Sequence, residues 1–348
     1  MERMPYILII GAIPFSNRSC SLGGVTVLMQ NFLDFCEKEN YPFIHIPTNR
    51  YSGKFANLRN IIYLFICFIL QLFRSDIVMF NVTRNGAFRM FPLLLPLVTL
   101  FHKKSVLRLF GGKLQFWYDT EKGFWQKKLN MALHQVDLVF AETSQNISYL
   151  KQFASANKIE WFPNVRTPSQ YRVPNDYQKK FVFVSRIVED KGVDFILDIF
   201  KQLGNEYTID FYGPIEDKKY TLDCFLRNNI RYCGCIEPDN VRRILSNYNI
   251  LLLPTFWNTE GYPGIIIEAM SIGMPTIATD WNGIPELIEN NENGVLIEIK
   301  NITALYEAVT KVTQETYLKM SAKALKKFDV MYNSEIINRK IYKKIIHI

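Results

Sequence analysis

Two carboxylates, Glu260 and Glu268, lie in the stretch 255–273, TFWNTEGYPGIIIEAMSIG, with Gly261, Pro263 and Gly264 between them. The apolar run 250–254 before it reads as a buried strand, and the run from Ile265 to Gly273 reads as a helix with a glycine stop. A helix that begins behind Pro263-Gly264 turns its first unpaired N–H groups and the positive end of its dipole into the loop, which makes an anion site. Glu268, about one turn into that helix, can accept hydrogen bonds from a polyol such as a ribose, and Glu260 sits nearer to whatever the anion carries. A diphosphate flanked by two sugars satisfies all three features at once. The plain alternative is a solvated Glu260 and a Glu268 that only complements the helix dipole.

Two cations are spaced to reach the same ligand. The segment 181–193, FVFVSRIVEDKGV, carries Arg186 off the end of a strand and Lys191 just before the next helix. A guanidinium fork and a mobile ammonium divide the work on phosphates in a familiar way, so the pair reads as a diphosphate clamp rather than as two solvated loop cations.

The elements that must position these residues alternate regularly. Strands are expected at 6–12, 43–47, 77–81, 105–110 and 138–142, with helices at 26–40, 57–74 and 124–135 between them. After a polar, Pro-containing linker at 164–177 the pattern restarts. Strands at 181–185, 208–212, 230–233, 250–254 and 276–279 then alternate with helices at 193–203, 220–228, 238–248 and 284–290. Such alternation gives an α/β protein of two doubly wound, Rossmann-like domains facing across a cleft, with ligands outside the carboxyl ends of the strands. The domains are read as 1–165 and 178–330, with a last helix at 331–348. After the first strand come Gly23 and Gly24, where backbone can approach a ligand, and after the strand at 105–110 come Gly111 and Gly112 on the same predicted edge. Either pair could equally be a tight turn.

Composition narrows the chemistry. The chain has 348 residues and a formal charge of +8, from 41 basic and 33 acidic side chains, which suits an anionic partner without naming it. The six Cys show no C-x-x-C pair and no His-Cys cluster, a pattern of reduced thiols and of a cytoplasmic protein. No cleavable signal is read at the start, and no G-x-G-x-x-G follows the first strand, which argues against a dinucleotide enzyme. No D-x-D pair is present to hold a metal beside phosphates, so no metal or cofactor is expected.

Taken together, Ser185-Arg186 with Lys191-Gly192, the run Glu260-Gly-Tyr-Pro-Gly264 to Glu268-Ala-Met, Gly273-Met-Pro-Thr, Asn282-Gly283-Ile-Pro-Glu286 and Asn293-Gly294 resemble the retaining nucleotide-sugar glycosyltransferases of family 4, which have the GT-B fold. The resemblance is dense over the second half of the chain and thin over the first, where Gly23-Gly24 and Pro163-Asn164 carry it. It implies that Arg186 and Lys191 hold the donor diphosphate, that Glu268 takes the ribose and Glu260 the transferred sugar, and that N–H groups around Gly264 and Ile265 complete the phosphate cradle. Gly23, Gly24 and Gly261 would line the donor. The second domain would bind the donor, a UDP- or GDP-sugar, and the first the acceptor, a saccharide or lipid-linked saccharide of bacterial surface polysaccharide, lipopolysaccharide or capsule. The last helix would return to the first domain. One departure is visible: Phe110 stands where the family often has a His, so a donor-sugar contact is missing or replaced, with Lys113 a nearby substitute. Gly111, Gly112 and Lys113 are assigned to the acceptor side. The alternative is a non-catalytic sugar-binding subunit of the same fold.

A membrane partner is a further expectation. The apolar run 90–101 precedes Lys103, Lys104 and Arg108, and Phe116, Trp117, Tyr118, Phe124, Trp125, Lys127 and Lys128 mix aromatic and basic groups, as peripheral docking on anionic lipid at the inner face of the plasma membrane requires. The most apolar segment, 61–73, is too short to span a bilayer and reads as either a buried or a membrane-touching helix.

Overall fold

A computed structural model describes residues 3–14 and 24–348. In the first half the strands are β1 (Ile7–Gly11), β2 (Phe43–Pro47), β3 (Ile77–Val82), β4 (Lys104–Leu109), β5 (Leu138–Ala141) and β6 (Ile159–Trp161), the inner four being almost wholly buried and the edge strands β2 and β6 partly exposed. Between them run α1 (Gly24–Lys38), α2 (Ala56–Leu72), α3 (Phe91–Leu100), α4 (Leu114–Thr120), α5 (Phe124–Gln135) and α6 (Ser144–Leu150). The strands pair in parallel in the order β2-β1-β3-β4-β5-β6. Parallel pairing needs a crossover for every strand, which is why the sequence alternates as it does.

The second half repeats the scheme with β7 (Lys180–Val184), β8 (Thr208–Tyr212), β9 (Ile230–Tyr232), β10 (Ile250–Leu253), β11 (Thr276–Thr279) and β12 (Gly294–Ile297). Its helices are α7 (Val193–Gln202), α8 (Val241–Leu245), α9 (Gly264–Ser271), α10 (Ile284–Leu287), α11 (Ile302–Thr310) and α12 (Gln314–Met331), and the sheet order is β12-β11-β10-β7-β8-β9, again all parallel. The order reverses between β1 and β3 in the first sheet and between β7 and β10 in the second. Those are the points where loops at the carboxyl edge diverge and leave room for a ligand.

Two compact units result. One holds the described residues up to 164 together with Ser334–Ile348, and the other holds Val165–Asn333. The last helix, α13 (Ser334–Ile346), therefore lies on the first unit, where Ile337, Ile341, Tyr342 and Ile345 are buried and the Tyr342 ring stacks on Tyr41 at 3.6 Å between centroids. Lys38–Glu335 and Glu39–Arg339 pairs flank it at 2.6 and 2.7 Å.

Several elements differ from the expectation. The helix read at 220–228 is only a 3-10 turn, Leu222–Phe225, and the one read at 238–248 is a 3-10 turn, Pro238–Asn240, followed by the short α8. The apolar run 90–101, which Pro92 and Pro96 would be expected to break, is helical as α3: Pro92 stands in its first turn and Pro96 is accommodated inside. The stretch 164–177 is not a free linker, because Arg166 is buried and bridges to Asn333, and the Val173 N–H donates to the Ile272 carbonyl.

Candidate active site

The site in the second unit begins at its switch point, where β7 and β10 end side by side. The chain leaving β7 is pinned by its neighbour: the Ile187 N–H donates to the Pro214 carbonyl at 2.8 Å. Gly213 (φ +133) passes so close to the Ser185 carbonyl that a Cβ would sit 1.9 Å from its oxygen. This pinning fixes where Arg186 emerges. Five residues on, a 3-10 turn, Glu189–Lys191, ends in Gly192 at φ +76, and a Cβ there would sit 2.2 Å from the Pro254 carbonyl oxygen. Only glycine allows both the left-handed backbone and the close pass against the end of β10. The result is that Lys191 is carried inward and is only 7% exposed.

The loop after β10 is stitched to that turn. The Asp190 carbonyl accepts from the Phe256 N–H at 2.8 Å and from the Thr255 hydroxyl at 3.1 Å. Glu260 Oε2 accepts from Lys191 Nζ and lies 3.1 Å from Thr255 Oγ1, so the sequence-predicted lysine and glutamate meet directly. Their side chains are 9% and 11% exposed, which marks a pair largely withdrawn from water. Arg186 stays nearer the surface, 3.2 Å from Glu216, and its guanidinium lies 4.5 Å from the centroid of the Trp257 ring, with the Lys191 ammonium 5.8 Å from the same ring. Trp257 is thus a common platform for the two cations.

The helix α9 starts at Gly264 with Pro263 as its N-cap, and no side chain caps it. The first-turn amides, those of Gly264 and Ile265 among them, have no partner one turn earlier within the helix and face the loop that Glu260 and Gly261 form. Glu268, the fifth residue of α9, is met by Arg166, whose Nε donates to Oε1 at 2.8 Å. Sequence reasoning assigned the glutamate and missed the arginine, because Arg166 arrives from a stretch 102 residues earlier and no spacing announces it. Trp257 was also missed as a participant, although an aromatic inside a Gly- and Pro-bounded loop is the one signal that could have drawn notice.

The later motif residues brace this loop. Trp281 Nε1 donates to the Trp257 carbonyl at 3.0 Å, and the Asn282 amide reaches the Trp257 and Asn258 carbonyls at 3.4 and 3.3 Å. A Cβ on Gly283 would sit 2.6 Å from the Gly261 carbonyl oxygen. The Tyr262 hydroxyl donates to Glu286 at 2.5 Å, and Asn293 closes its own turn through the Glu289 N–H and the Leu287 carbonyl. Chemically, the loop offers a helix N-terminus, two cations near one indole ring and a largely withdrawn carboxylate, a set suited to an anion that carries a polyol.

In the first unit, Gly23 lies outside the described residues, and Gly24 is the first residue of α1, with open space where a Cβ would stand. Gly111 (φ +102) opens the turn after β4: its N–H donates to Glu142 at 2.9 Å, its carbonyl accepts from Asn146 at 2.7 Å, and its missing side chain leaves room for Trp117. Gly112 follows, and Lys113 precedes α4 with its ammonium pKa lowered by burial. Arg108 departs from the expected basic surface. It is 2% exposed, its guanidinium 3.4 Å from the Phe162 ring centroid, and burial, opposed by Glu142, pulls its pKa down to about 9. It points into the core because β4 is central and both its faces are covered.

Among the described residues no three His, Cys, Asp or Glu side chains converge as a metal site, and no helix is long and apolar enough to cross a membrane. Cys36, Cys67, Cys224, Cys233 and Cys235 are free thiols.

Comparison with known proteins follows the same division. The chain is 32% identical over 146 residues to the amylovoran biosynthesis glycosyltransferase AmsK of Erwinia amylovora, an alignment covering 39% of this chain and 36% of that protein. It is 34% identical over 104 residues to a UDP-Gal:alpha-D-GlcNAc-diphosphoundecaprenol alpha-1,3-galactosyltransferase of Escherichia coli, covering 30% of this chain and 26% of that one. The alignments thus span less than two thirds of the length of the curated relatives, from 26% to 59% of each. The structure of Anabaena HepE in complex with UDP superposes with a TM-score of 0.75 over 98% of this chain and 100% of that one, at 13% identity. The fold is GT-B, and residues 169–327, which hold Arg186, Lys191, Glu260 and Glu268, match the family model of the glycosyl transferases group 1.

Proposed function

We propose that the chain is a glycosyltransferase that moves a hexosyl group from a UDP- or GDP-sugar to a saccharide or lipid-linked saccharide, with retention and without a metal, in bacterial surface polysaccharide biosynthesis. The observation that carries it is the meeting of Lys191, Glu260 and Arg186 on the Trp257 loop in front of an uncapped α9. Departure of a nucleoside diphosphate builds negative charge on the leaving oxygens, which Arg186, the α9 amides and Lys191, once freed from Glu260, would stabilise. Glu260, held by Lys191 and Thr255, would take a hydroxyl of the transferred sugar, and Glu268, held by Arg166, the ribose. Retention follows if the acceptor attacks the face that the diphosphate leaves and a phosphate oxygen takes its proton. The second unit would then be the donor side and the first, with Gly111, Gly112 and Lys113, the acceptor side. A lipid-linked acceptor is supported by the diphosphoundecaprenol named for the Escherichia coli relative.

The test is a panel of nucleotide sugars read by thermal shift and by product formation, each with and without EDTA. A donor at a hundred times its Kd raises stability by about 2.7 kcal/mol. Arg186→Ala and Lys191→Ala should each weaken UDP or GDP binding by about 1.5–3 kcal/mol. Turnover that EDTA abolishes and a divalent ion restores would overturn the metal-independent reading, and binding without turnover across the panel would leave a sugar-binding subunit.

A further inference from the structure

A soluble helix on a protein surface keeps its apolar stripe inward. The helix α2 does the reverse. It buries only Phe68 and Leu72, while Leu58, Ile61, Ile62, Phe65, Ile66 and Leu70 are each more than half exposed. Their spacing is that of one helical face, and it looks away from the core. Phe55 at one end and Phe73 at the other extend the face, and Phe73 meets Phe101 at 4.8 Å, which joins the exposed end of α3, Leu100 included, to the same patch.

The rim of this face is basic. Residues 50–75 contain Arg50, Lys54, Arg59 and Arg74 and no Asp or Glu. Arg50 and Arg59 lie over the rings of Tyr63 and Tyr51 at 4.6 and 4.3 Å, contacts that hold the cations at the edge of the patch and leave their charge unneutralised.

We propose that the outer face of α2, continued by the end of α3, seats the first unit on an anionic lipid bilayer. Seventeen residues at 1.5 Å each give a helix of about 25 Å, which suits one lying in the interface with its apolar side among acyl chains and its cations at the headgroups. A second copy of the chain is the other occupant an apolar face could take. A two-fold contact through α2 would press this basic rim against itself, with no acid in the segment to relieve it, so charge favours the lipid. On this proposal the docking surface is α2 rather than the basic turn and helix start around Lys103, Lys104, Lys127 and Lys128, and the segment 61–73, whose outer face is exposed rather than buried, is the membrane-touching helix.

The placement also gives a cavity its purpose, a point that rests on the lipid-linked acceptor reading. A hollow of about 590 Å³ lies at the carboxyl edge of β1, β2 and β3, lined by Thr48, Asn57, Asn60, Ile61, Asn81 and Arg89 among others. Ile61 belongs both to this lining and to the outer face of α2. A docked α2 would set the mouth of the hollow at headgroup level, where the polar end of a lipid in the same leaflet can enter.

The experiment is co-sedimentation of the full chain with phosphatidylcholine vesicles, with and without phosphatidylglycerol, at low and high salt. Binding is expected to anionic vesicles and to weaken with salt. Arg59→Gln should weaken it by about fivefold, and Ile62→Gln with Ile66→Gln by more than tenfold with Tm unchanged, since both positions are exposed. The Gln variant of Lys103, Lys104, Lys127 and Lys128 should lose less. Phe65→Trp should shift its emission to the blue on docking and be quenched by lipids brominated along the chain. Vesicle binding indifferent to the Ile62/Ile66 pair, or an indole in the Phe65→Trp variant that brominated lipid leaves unquenched, would overturn the proposal. So would a concentration-dependent dimer that the same pair dissolves, with no affinity for vesicles. None of these readouts uses a nucleotide sugar, so their failure is separable from failure of the transfer reaction.

Discussion

On the proposed function, Lys191 and Glu260 are a pair that a ligand would divide. Each neutralises the other in surroundings largely closed to water, and an incoming diphosphate would compete for the ammonium and release the carboxylate toward whatever the phosphate carries. Glu260→Gln should therefore lower kcat by roughly 100-fold or more and leave UDP or GDP affinity intact or improved, because the amide holds Lys191 less firmly. Steady-state kinetics with isothermal titration checks both halves, and undiminished turnover would remove Glu260 from the chemistry. Arg166 and Glu268 form the second such pair, with side chains 8% and 19% exposed. Arg166→Met leaves a half-buried carboxylate without its cation and should cost about 1–3 kcal/mol in denaturant unfolding, whereas adding Glu268→Gln should recover most of that stability without recovering nucleotide affinity. At this scale Arg186, Lys191, Glu260 and Glu268 stand out in the sequence as candidates by type and placement, and the structure brings Lys191 to Glu260. The contacts of Arg166 with Glu268 and of Trp257 with the two cations do not stand out, because tertiary closure creates them between stretches that carry no local signal of it.

The elements explain why small residues gather in the later motif. Gly283 lets the turn before α10 lie against the Glu260 loop, and Trp281 and Asn282 then hold that loop by its own carbonyls. Gly283→Ala must push the Gly261 backbone away, so kcat/KM should fall by more than tenfold while the unfolding free energy drops by only about 1–3 kcal/mol. Equal loss in both would point to a merely structural glycine. Ten of the twelve strands match the expected ranges to within a residue or two, as apolar runs between turn signals allow. The three-residue edge strand β6 is too short to show a pattern, and β12 is hidden because Gly294 begins it and an Asn-Gly pair reads as a turn until one sees that a Cβ there would sit 2.3 Å from the Thr276 carbonyl oxygen of the neighbouring strand. The helices expected at 220–228 and 238–248 are shorter than their apolar content suggests, because Pro238 and a broken periodicity limit them to 3-10 turns and the five-residue α8. The two doubly wound sheets themselves are as the alternation implied, and α2 shows the limit of pattern: an apolar stripe fixes which residues share a face but not whether protein or lipid will cover it.

At the scale of the molecule, the first unit is built from both ends of the described chain. Ending the chain after Asn333 would strip α13 from it and uncover the surface that Ile337, Ile341, Tyr342 and Ile345 bury, on the order of 5–10 kcal/mol of apolar burial and comparable with the whole stability of a domain. The second unit keeps all of its strands, so the truncated chain should retain protease-resistant fragments from residues 165–333 and a thermal response to UDP or GDP, while the first unit is digested. Resistance of both units alike would show α13 to be dispensable.

The same helix sets an order of events on the ribosome. Lys38 and Glu335, which meet at 2.6 Å, are 297 residues apart in the chain. At about 5–20 residues per second, α1 is exposed for on the order of 15–60 s before the segment that covers it has been made. The unit translated first is thus the one completed last, and the unit bearing the Lys191 and Glu260 loops can close while its predecessor still waits, with Tyr41 and the α1 surface open to chaperones until the final turns emerge.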